Sequence, residues 1–440
     1  MPTFTPAQSS YDVIIIGAGI IGAATALELS RKGFKTLNVD SLPASGYGST
    51  SNSCAIIRTH YSTLEGTALA HEGYFYWANW ADYLGVEDER GYAKFINNGC
   101  MVMKTQSNDS LANVIAHQRA LGIPFEEWGP SEITAKLPMF SLQKFAPAKA
   151  FNSPGFAQPT GGEVPGGVFF ERAGYINDPQ LATHNLQRAA EAAGAEFRFN
   201  AKVQEIPQVS GRVTGVTLQD GTVLSAPVVV NVAGPHSYII NEMVGATADM
   251  TIKTRALRQE VTHLPAPEGV QWDRDGIVTS DSDISVYSRP EQGNYILVGS
   301  EDPECDEREW VDPDDFNRDF TDQWTAQAHR MGQRIPTLGV TAQRRGVVDL
   351  YDVSDDWIPI YDKSCVDGFY MAIGTSGNQF KNAPIAGLMM ATLIELCENG
   401  RDHDVDPVVV HGAYTARDLQ TGFFSRKRTI NPDSSFSVLG

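Results

Sequence analysis

The first strongly patterned stretch is an unbroken apolar run, Val13-Ile14-Ile15-Ile16, which reads as a strand buried on both faces. Gly17-Ala18-Gly19-Ile20-Ile21-Gly22 then turns into a helix that runs to about Arg31 and stops at Gly33, and Thr36-Leu37-Asn38-Val39-Asp40 forms the next strand. Together they predict a βαβ unit. Between Leu69 and Leu84, Tyr74, Phe75, Trp77, Ala78, Ala81 and Leu84 recur at helical spacing, an aromatic stripe expected in a core and given no catalytic role. A second amphipathic helix is expected from an Asp178 N-cap and Pro179 to Gly194, leading into the strand Glu196–Phe199.

Val213, Val216 and Leu218 around an Asp220-Gly221 turn predict a hairpin over Gly211–Val223, and Val228–Val232 a buried strand entering Ala233-Gly234. From about 245 to 335 the pattern reads as short strands and loops with no helical period, expected to form a separate sheet-based lobe. Gly368–Gly374 returns as a strand entering a loop, and Pro384–Glu398 as a helix closed by Gly400. No repeat of fixed period and no low-complexity linker divides the chain, so the lobes are expected to be interleaved in sequence.

A length of 440 residues exceeds one ordinary core and predicts two lobes, while 42% hydrophobic and 20% charged residues are ordinary for a globular protein. The formal charge of −19 disfavours nucleic acid and anionic membrane surfaces as partners. Five cysteines, Cys54, Cys100, Cys305, Cys365 and Cys397, are odd in number and lack metal-ligand spacing, so neither a disulfide framework nor a metal site is expected and a cytoplasmic location fits. Asp12 before and Glu28 after the apolar stretch Val13–Leu27 argue against a signal sequence, and the stretch is short for a membrane span. A polar tail of about ten residues precedes it and is expected to be mobile.

The glycines carry the chemistry. Gly17 permits the tight turn, Gly19 lets a pyrophosphate approach the backbone, and Gly22 lets helix and strand pack closely, with the diphosphate on the helix N-terminus at Ile20 and Ile21. Asp40, 23 positions after Gly17 and followed by Ser41, stands where an acid binds ribose hydroxyls.

In order after this fingerprint come Gly48-Ser-Thr-Ser-Asn-Ser-Cys-Ala-Ile-Ile-Arg58, Asn231-Val-Ala-Gly234 and Gly374-Thr-Ser-Gly-Asn-Gln-Phe-Lys381. The set resembles the D-amino-acid oxidase superfamily of FAD-dependent enzymes. Ile56-Ile57-Arg58, Arg345-Gly-Val-Val, Pro359-Ile360 and Phe380-Lys381 most resemble its sarcosine oxidase and dimethylglycine dehydrogenase branch. The resemblance implies an α/β fold: a Rossmann-like FAD-binding domain from residues 10–90, 150–240 and 340–410, an interleaved α+β substrate domain on a mixed sheet from 91–149 and 241–339, and a C-terminal extension over 411–440. By position it implies that Ser49, Thr50 and Ser51 line the pyrophosphate and flavin, Val203 touches the adenine, and Ala233 and Gly234 meet the ribityl region. Gly374, Gly377, Asn378, Gln379, Phe380 and Lys381 would meet the flavin's pyrimidine end, where backbone N–H groups stabilise charge on the reduced ring.

Arg58 and Lys381 match the pair that grips the substrate carboxylate, for which a planar guanidinium is well suited, and Tyr287 would wall the pocket. His60 is expected to be a structural, hydrogen-bonded histidine. The chain also departs from the pattern. Leu297, in Ile296-Leu-Val-Gly299, replaces the lysine that activates oxygen, which points to a dehydrogenase rather than a fast oxidase. Asp349 replaces a flavin-linking cysteine, and no histidine occupies the Gly48–Ala55 segment where others form a histidyl link, so non-covalent FAD is expected. His236 and Glu301 stand where a tryptophan and a substrate-contacting histidine are found, implying a pocket unlike that for sarcosine itself.

The expected function is FAD-dependent oxidation of a secondary or tertiary, N-methyl or cyclic, amino acid, with an unidentified acceptor or O2 taking the electrons. A 2-hydroxy-acid dehydrogenase and the flavin-bearing subunit of a larger amine dehydrogenase are the alternatives.

Overall fold

The computed structural model describes residues 11–108 and 110–440; the N-terminal tail expected to be mobile lies outside the described residues. Its first layer is a six-stranded sheet in the order Ile360–Lys363, Phe369–Ile373, Val228–Asn231, Val13–Ile16, Thr36–Val39, Glu196–Arg198. All neighbours are parallel except the edge pair Ile360–Lys363 with Phe369–Ile373. Val13 and Ile15 face a helical layer, Ile20–Arg31, Pro179–Ala192 and Ala383–Glu398, while Ile14 and Ile16 face the small antiparallel sheet Val203–Glu205, Gly215–Leu218, Val223–Ser225. All four are at most 5% exposed, each burial contributing about 1.5–3 kcal/mol. Cover on both faces is why the run is uninterrupted rather than alternating.

Local signals settle most of the elements. Asp178 caps its helix, its carboxylate accepting from Leu181 N at 2.8 Å. Gly221 N donates to Leu218 O in the expected hairpin turn. The aromatic stripe begins earlier than expected, on the helix Leu64–Ala78 capped by Thr63, breaks at Asn79 and resumes over Trp80–Leu84.

The second layer is a nine-stranded mixed sheet. Trp310–Val311, Thr254–Pro265, Tyr295–Ser300, Val286–Glu291, Val278–Asp281, Cys100–Met103, Gly167–Phe170 and Glu126–Trp128 follow in order, and Gly346–Ser354 pairs along Thr254–Pro265. Val278–Asp281 and Cys100–Met103 are parallel. Two expectations need correction. The 245–335 region does contain a long helix, Asp322–Arg334, and its Trp324, Ala328 and Met331 do keep helical spacing against the sheet. Moreover, Gly167–Phe170 and Gly346–Ser354 hydrogen-bond into this second sheet, so the expected segment boundaries at 150 and 340 cut through it. A three-stranded sheet, Ile56–Arg58, Ala173–Ile176, Phe95–Ile96, carries the Arg58 strand. Among the described residues no helix is long and apolar enough to cross a membrane.

Candidate functional site

Where the central strand ends, Gly17 takes φ +120° and donates its N–H to Val39 O at 2.9 Å. A Cβ there would lie 2.5 Å from Val232 O, and one on Gly22 would lie 2.3 Å from Gly17 O. Both glycines are therefore demanded by close backbone approach. The helix Ile20–Arg31 starts without a cap from Gly19; Thr50 Oγ1 accepts instead from Ile20 N at 3.2 Å. Asp40 ties the turn to the second strand, accepting from Ala18 N at 2.7 Å and from Leu42 N at 2.9 Å. Burial raises its pKa and these N–H bonds oppose the rise.

A cavity of about 650 Å³ opens beside this turn, between the carboxyl ends of the parallel strands and the face of the second sheet, where open α/β sheets bind their ligands. Gly17, Gly19, Ile20, Ile21, Asp40 and Ser41 line it, as do Ser49, Thr50, Val203, Ala233 and Gly234. So do Gly377, Asn378, Gln379, Phe380 and Lys381, together with Arg58 and Tyr287. The structure keeps three expected residues off the wall. Gly22 works behind it by packing. Ser51 turns its hydroxyl back to Gly48 O at 3.0 Å. Gly374 gives its N–H to Asp352 Oδ2 at 2.6 Å, so this amide holds the loop to a carboxylate rather than facing the cavity.

The rest of that loop keeps free donors: among the described residues, the N–H groups of Gly377, Gln379 and Phe380 make no hydrogen bond within the protein. The loop is held from behind by the aromatic stripe, Trp77 Nε1 donating to Lys381 O at 2.7 Å and its ring stacking on Phe380. The stripe thus has a positioning task.

Two buried cations meet at the cavity wall. Arg58, 7% exposed, donates Nη1 to His60 O and Nη2 to Val438 O and Leu439 O, with its guanidinium 4.3 Å from the Tyr61 ring centroid. Lys381, 4% exposed, donates Nζ to Asn378 O at 2.6 Å and to Tyr61 OH at 3.1 Å. Burial, then the nearby Arg58, pulls the Lys381 ammonium well below the ordinary lysine value. Among the described residues neither cation has an ion-pair partner. Glu301, whose carboxyl burial pushes up to about 7, is occupied by Ser280 Oγ, Ser282 Oγ and Asp281 N and acts on Arg58 only at longer range.

Tyr287 hydroxyl lies 3.2 Å from Cys54 Sγ and 3.3 Å from Tyr351 OH, and burial raises all three groups. His60 is stacked on Phe170 at 4.3 Å and kept neutral by burial and by the two cations. Among the described residues its Nδ1 has no partner, so it is not the hydrogen-bonded histidine that was expected, and it lines the cavity. Leu297 is buried one layer back, clustered with Tyr287, Val261 and Val438. His236 reaches solvent and bonds Asp314 at 2.9 Å.

Several wall residues escaped the sequence reading. Tyr351 and Asp352 follow Asp349 in one strand and carried no motif of their own. Asp352 is 2% exposed, its carboxyl is pushed up to about 7 by burial, and its Oδ1 has no partner among the described residues. Val438 and Leu439 lie 380 and 381 positions from the Arg58 they touch, beyond any local signal.

The glycine cradle that any Cβ would fill, the acid at the end of the second strand and the unpaired loop amides fit a dinucleotide flavin: turn and helix start for the diphosphate, Asp40 for ribose, residues 377–381 for the ring. Fold and site together define an FAD-dependent oxidoreductase. The profile of the family described as FAD dependent oxidoreductase, DAO, matches residues 12–393, and the chain belongs to that family. It is similar to sarcosine oxidase subunit beta of Rhizobium meliloti (strain 1021), 24% identical over 393 residues, which cover 87% of this chain and 84% of that one. It is also similar to N-methyl-L-tryptophan oxidase of Yersinia pestis (strain Pestoides F), 25% identical over 387 residues, 87% of this chain and 94% of that one. Among solved structures, L-proline dehydrogenase from P. horikoshii superposes with a TM-score of 0.74 at 18% identity, covering 96% of this chain and 98% of the other.

Proposed function

We propose that this chain, holding FAD without a covalent bond, oxidises a carboxylate-bearing secondary or tertiary amine of the N-methyl or cyclic amino-acid type. The observation that carries the reading is the pair of buried cations, Arg58 and Lys381, facing the cavity with no carboxylate partner among the described residues. Burying an ion costs several kcal/mol, and a substrate carboxylate is the partner that would offset that cost for Arg58 and favour the charged form of Lys381. N-methylated amino acids also stand in the names of relatives.

Bound FAD supplies the hydride acceptor, at N5 of its flavin ring. The guanidinium fork and the ammonium orient the carboxylate, which fixes the face on which the neighbouring C–H is presented. Tyr287 and Tyr351 are held protonated by burial and His60 is a weak base, so none of them takes the amine's proton. The amine has to arrive neutral, which a dry wall and two nearby cations favour by disfavouring an ammonium. As the C–H bond breaks, both its electrons leave with the hydrogen, and the nitrogen lone pair forms the C=N bond of an iminium ion. Water adds to that carbon, releasing a carbonyl compound and an amine. Leu297, buried among apolar neighbours, offers no cation for oxygen reduction, which supports a dehydrogenase passing electrons to another acceptor.

The test is an anaerobic titration of the FAD-loaded protein with sarcosine, N-methyl-L-tryptophan and proline, each also as its methyl ester. Bleaching of the yellow colour by an acid and not by its ester is the expected outcome. Equal bleaching by the ester, or bleaching by 2-hydroxy acids alone, overturns the reading.

A further inference from the structure

The 421–440 segment is held in two different ways. Its first part is clamped by charge: Arg426 is ion-paired to Asp249 at 2.6 Å, Asp362 at 3.1 Å and Asp404 at 2.9 Å, and Arg428 to Asp356 at 2.7 Å. Beyond Ser434, whose hydroxyl reaches Asp356 O, the chain is held through its own carbonyls. Arg308 Nη2 donates to Phe436 O at 2.8 Å, Arg58 Nη2 to Val438 O at 3.2 Å and to Leu439 O, and Ser62 N to Gly440 O at 3.0 Å. Of these last residues, Val438 and Leu439 lie on the cavity wall.

A carboxylate is gripped bidentately through two N–H groups pointing the same way, either the Nη1/Nη2 end or the Nε/Nη2 edge of the guanidinium. Both geometries need a hydrogen on Nη2, and both Nη2 hydrogens are donated to the carbonyls of Val438 and Leu439. The same segment also presses on the other cation's partner: a Cβ on Gly440 would lie 2.3 Å from the Tyr61 ring, and Tyr61 OH is bonded to Lys381 Nζ.

From this geometry we infer that residues 437–440 are a strap that competes with the substrate's carboxylate for Arg58, so that binding requires the guanidinium to exchange two neutral carbonyls for one anion. The inference rests on the carboxylate reading of Arg58 given above. The exchange runs in the substrate's favour because an anion bonds a guanidinium more strongly than a neutral carbonyl does. Clamping at Arg426 and Arg428 holds the chain before residues 437–440 in place. Val438, a member of the apolar cluster that also holds Tyr287 and Leu297, leaves that cluster when the strap opens, so opening enlarges the cavity where the substrate's side chain would lie.

The experiment compares the FAD-loaded full chain with one stopped after Phe436, using acetate as the probe and the perturbation of the flavin's visible spectrum as the readout. Loss of the strap is expected to tighten acetate binding by at least about tenfold, the equilibrium worth of one net hydrogen bond. Unchanged or weaker binding overturns the inference, because the segment would then support Arg58 rather than compete for it. Absence of acetate binding in both proteins removes the carboxylate grip itself, and the strap with it. Hydrogen exchange on the intact FAD-loaded chain gives an answer that needs no truncation: acetate should speed exchange in residues 437–440. Slower or unchanged exchange there also overturns the inference.

Discussion

The ammonium of Lys381 lies 3.1 Å from the phenolic oxygen of Tyr61, and both groups donate to one carbonyl, Asn378 O, at 2.6 and 2.7 Å. A buried cation is thus solvated by dipoles alone, and burial with Arg58 nearby holds its pKa well below 10.5. Carboxylate binding favours the ammonium, so it should take up a proton in the window between the lowered value and 10.5, and affinity should fall as pH rises through that window. The stability sign follows: the cost of the buried charge is fully felt below the lowered pKa and fades as pH rises toward 10.5. Calorimetric titration with acetate in buffers of different ionisation enthalpy counts the protons. Uptake in the native protein and none in Lys381→Met is expected; no uptake in either would show that Lys381 does not meet the carboxylate.

Arg58 is expected to act through its shape as well as its charge. Lysine at this position keeps the charge but loses the planar fork, so Arg58→Lys should lower kcat/KM for the best amino-acid substrate by about 100-fold. Steady-state kinetics with an artificial acceptor would measure it. A near-native value would mean that Arg58 contributes charge alone.

Those two cations were legible because each sits in a local motif, Ile-Ile-Arg58 and Gly-Asn-Gln-Phe-Lys381, and the βαβ core was legible because its strand, glycine turn and helix are neighbours in sequence. The helix Asp322–Arg334 was not, because polar residues on its buried face hid the period. Arg334 is matched by Asp281 and Asp283, Arg330 by Asp306 and Gln327 by Thr262, and such satisfaction depends on distant residues. For the same reason the loop amide of Gly374 was expected to face the flavin: only the fold reveals Asp352 as its acceptor. The strap at Val438 and Leu439 is the extreme case, a contact made by backbone carbonyls that any residue carries.

Gly22 supplies a test of the cradle. Its Cβ position lies 2.3 Å from Gly17 O and 3.0 Å from a Val232 methyl, so Gly22→Ala has to push the turn away from the helix. A strain of about 1–3 kcal/mol is expected, as for overpacked cores, and the displaced turn should no longer seat the diphosphate. The protein should purify largely colourless and melt at lower temperature than the native chain. A stoichiometric flavin absorbance would show that the turn yields without loss of its ligand.

The attachment of the flavin can be argued from three side chains. By the family resemblance Asp349 falls where a linking cysteine would stand, and Asn52, in the segment where a histidyl link would form, donates Nδ2 to Asp349 Oδ2 at 2.5 Å. An amide bonded to a carboxylate offers neither a thiolate nor an imidazole. Cys54 is the one thiol in that segment, but burial raises it, outweighing the nearby Arg289 and the Tyr287 OH contact at 3.2 Å, which act the other way, so it stays protonated and unreactive. Acid precipitation should therefore leave a colourless pellet with all the FAD in the supernatant, and Cys54→Ser should behave identically. Colour that stays in the native pellet and leaves it in Cys54→Ser would instead make Cys54 a flavin link, and the low reactivity inferred from its burial would be wrong.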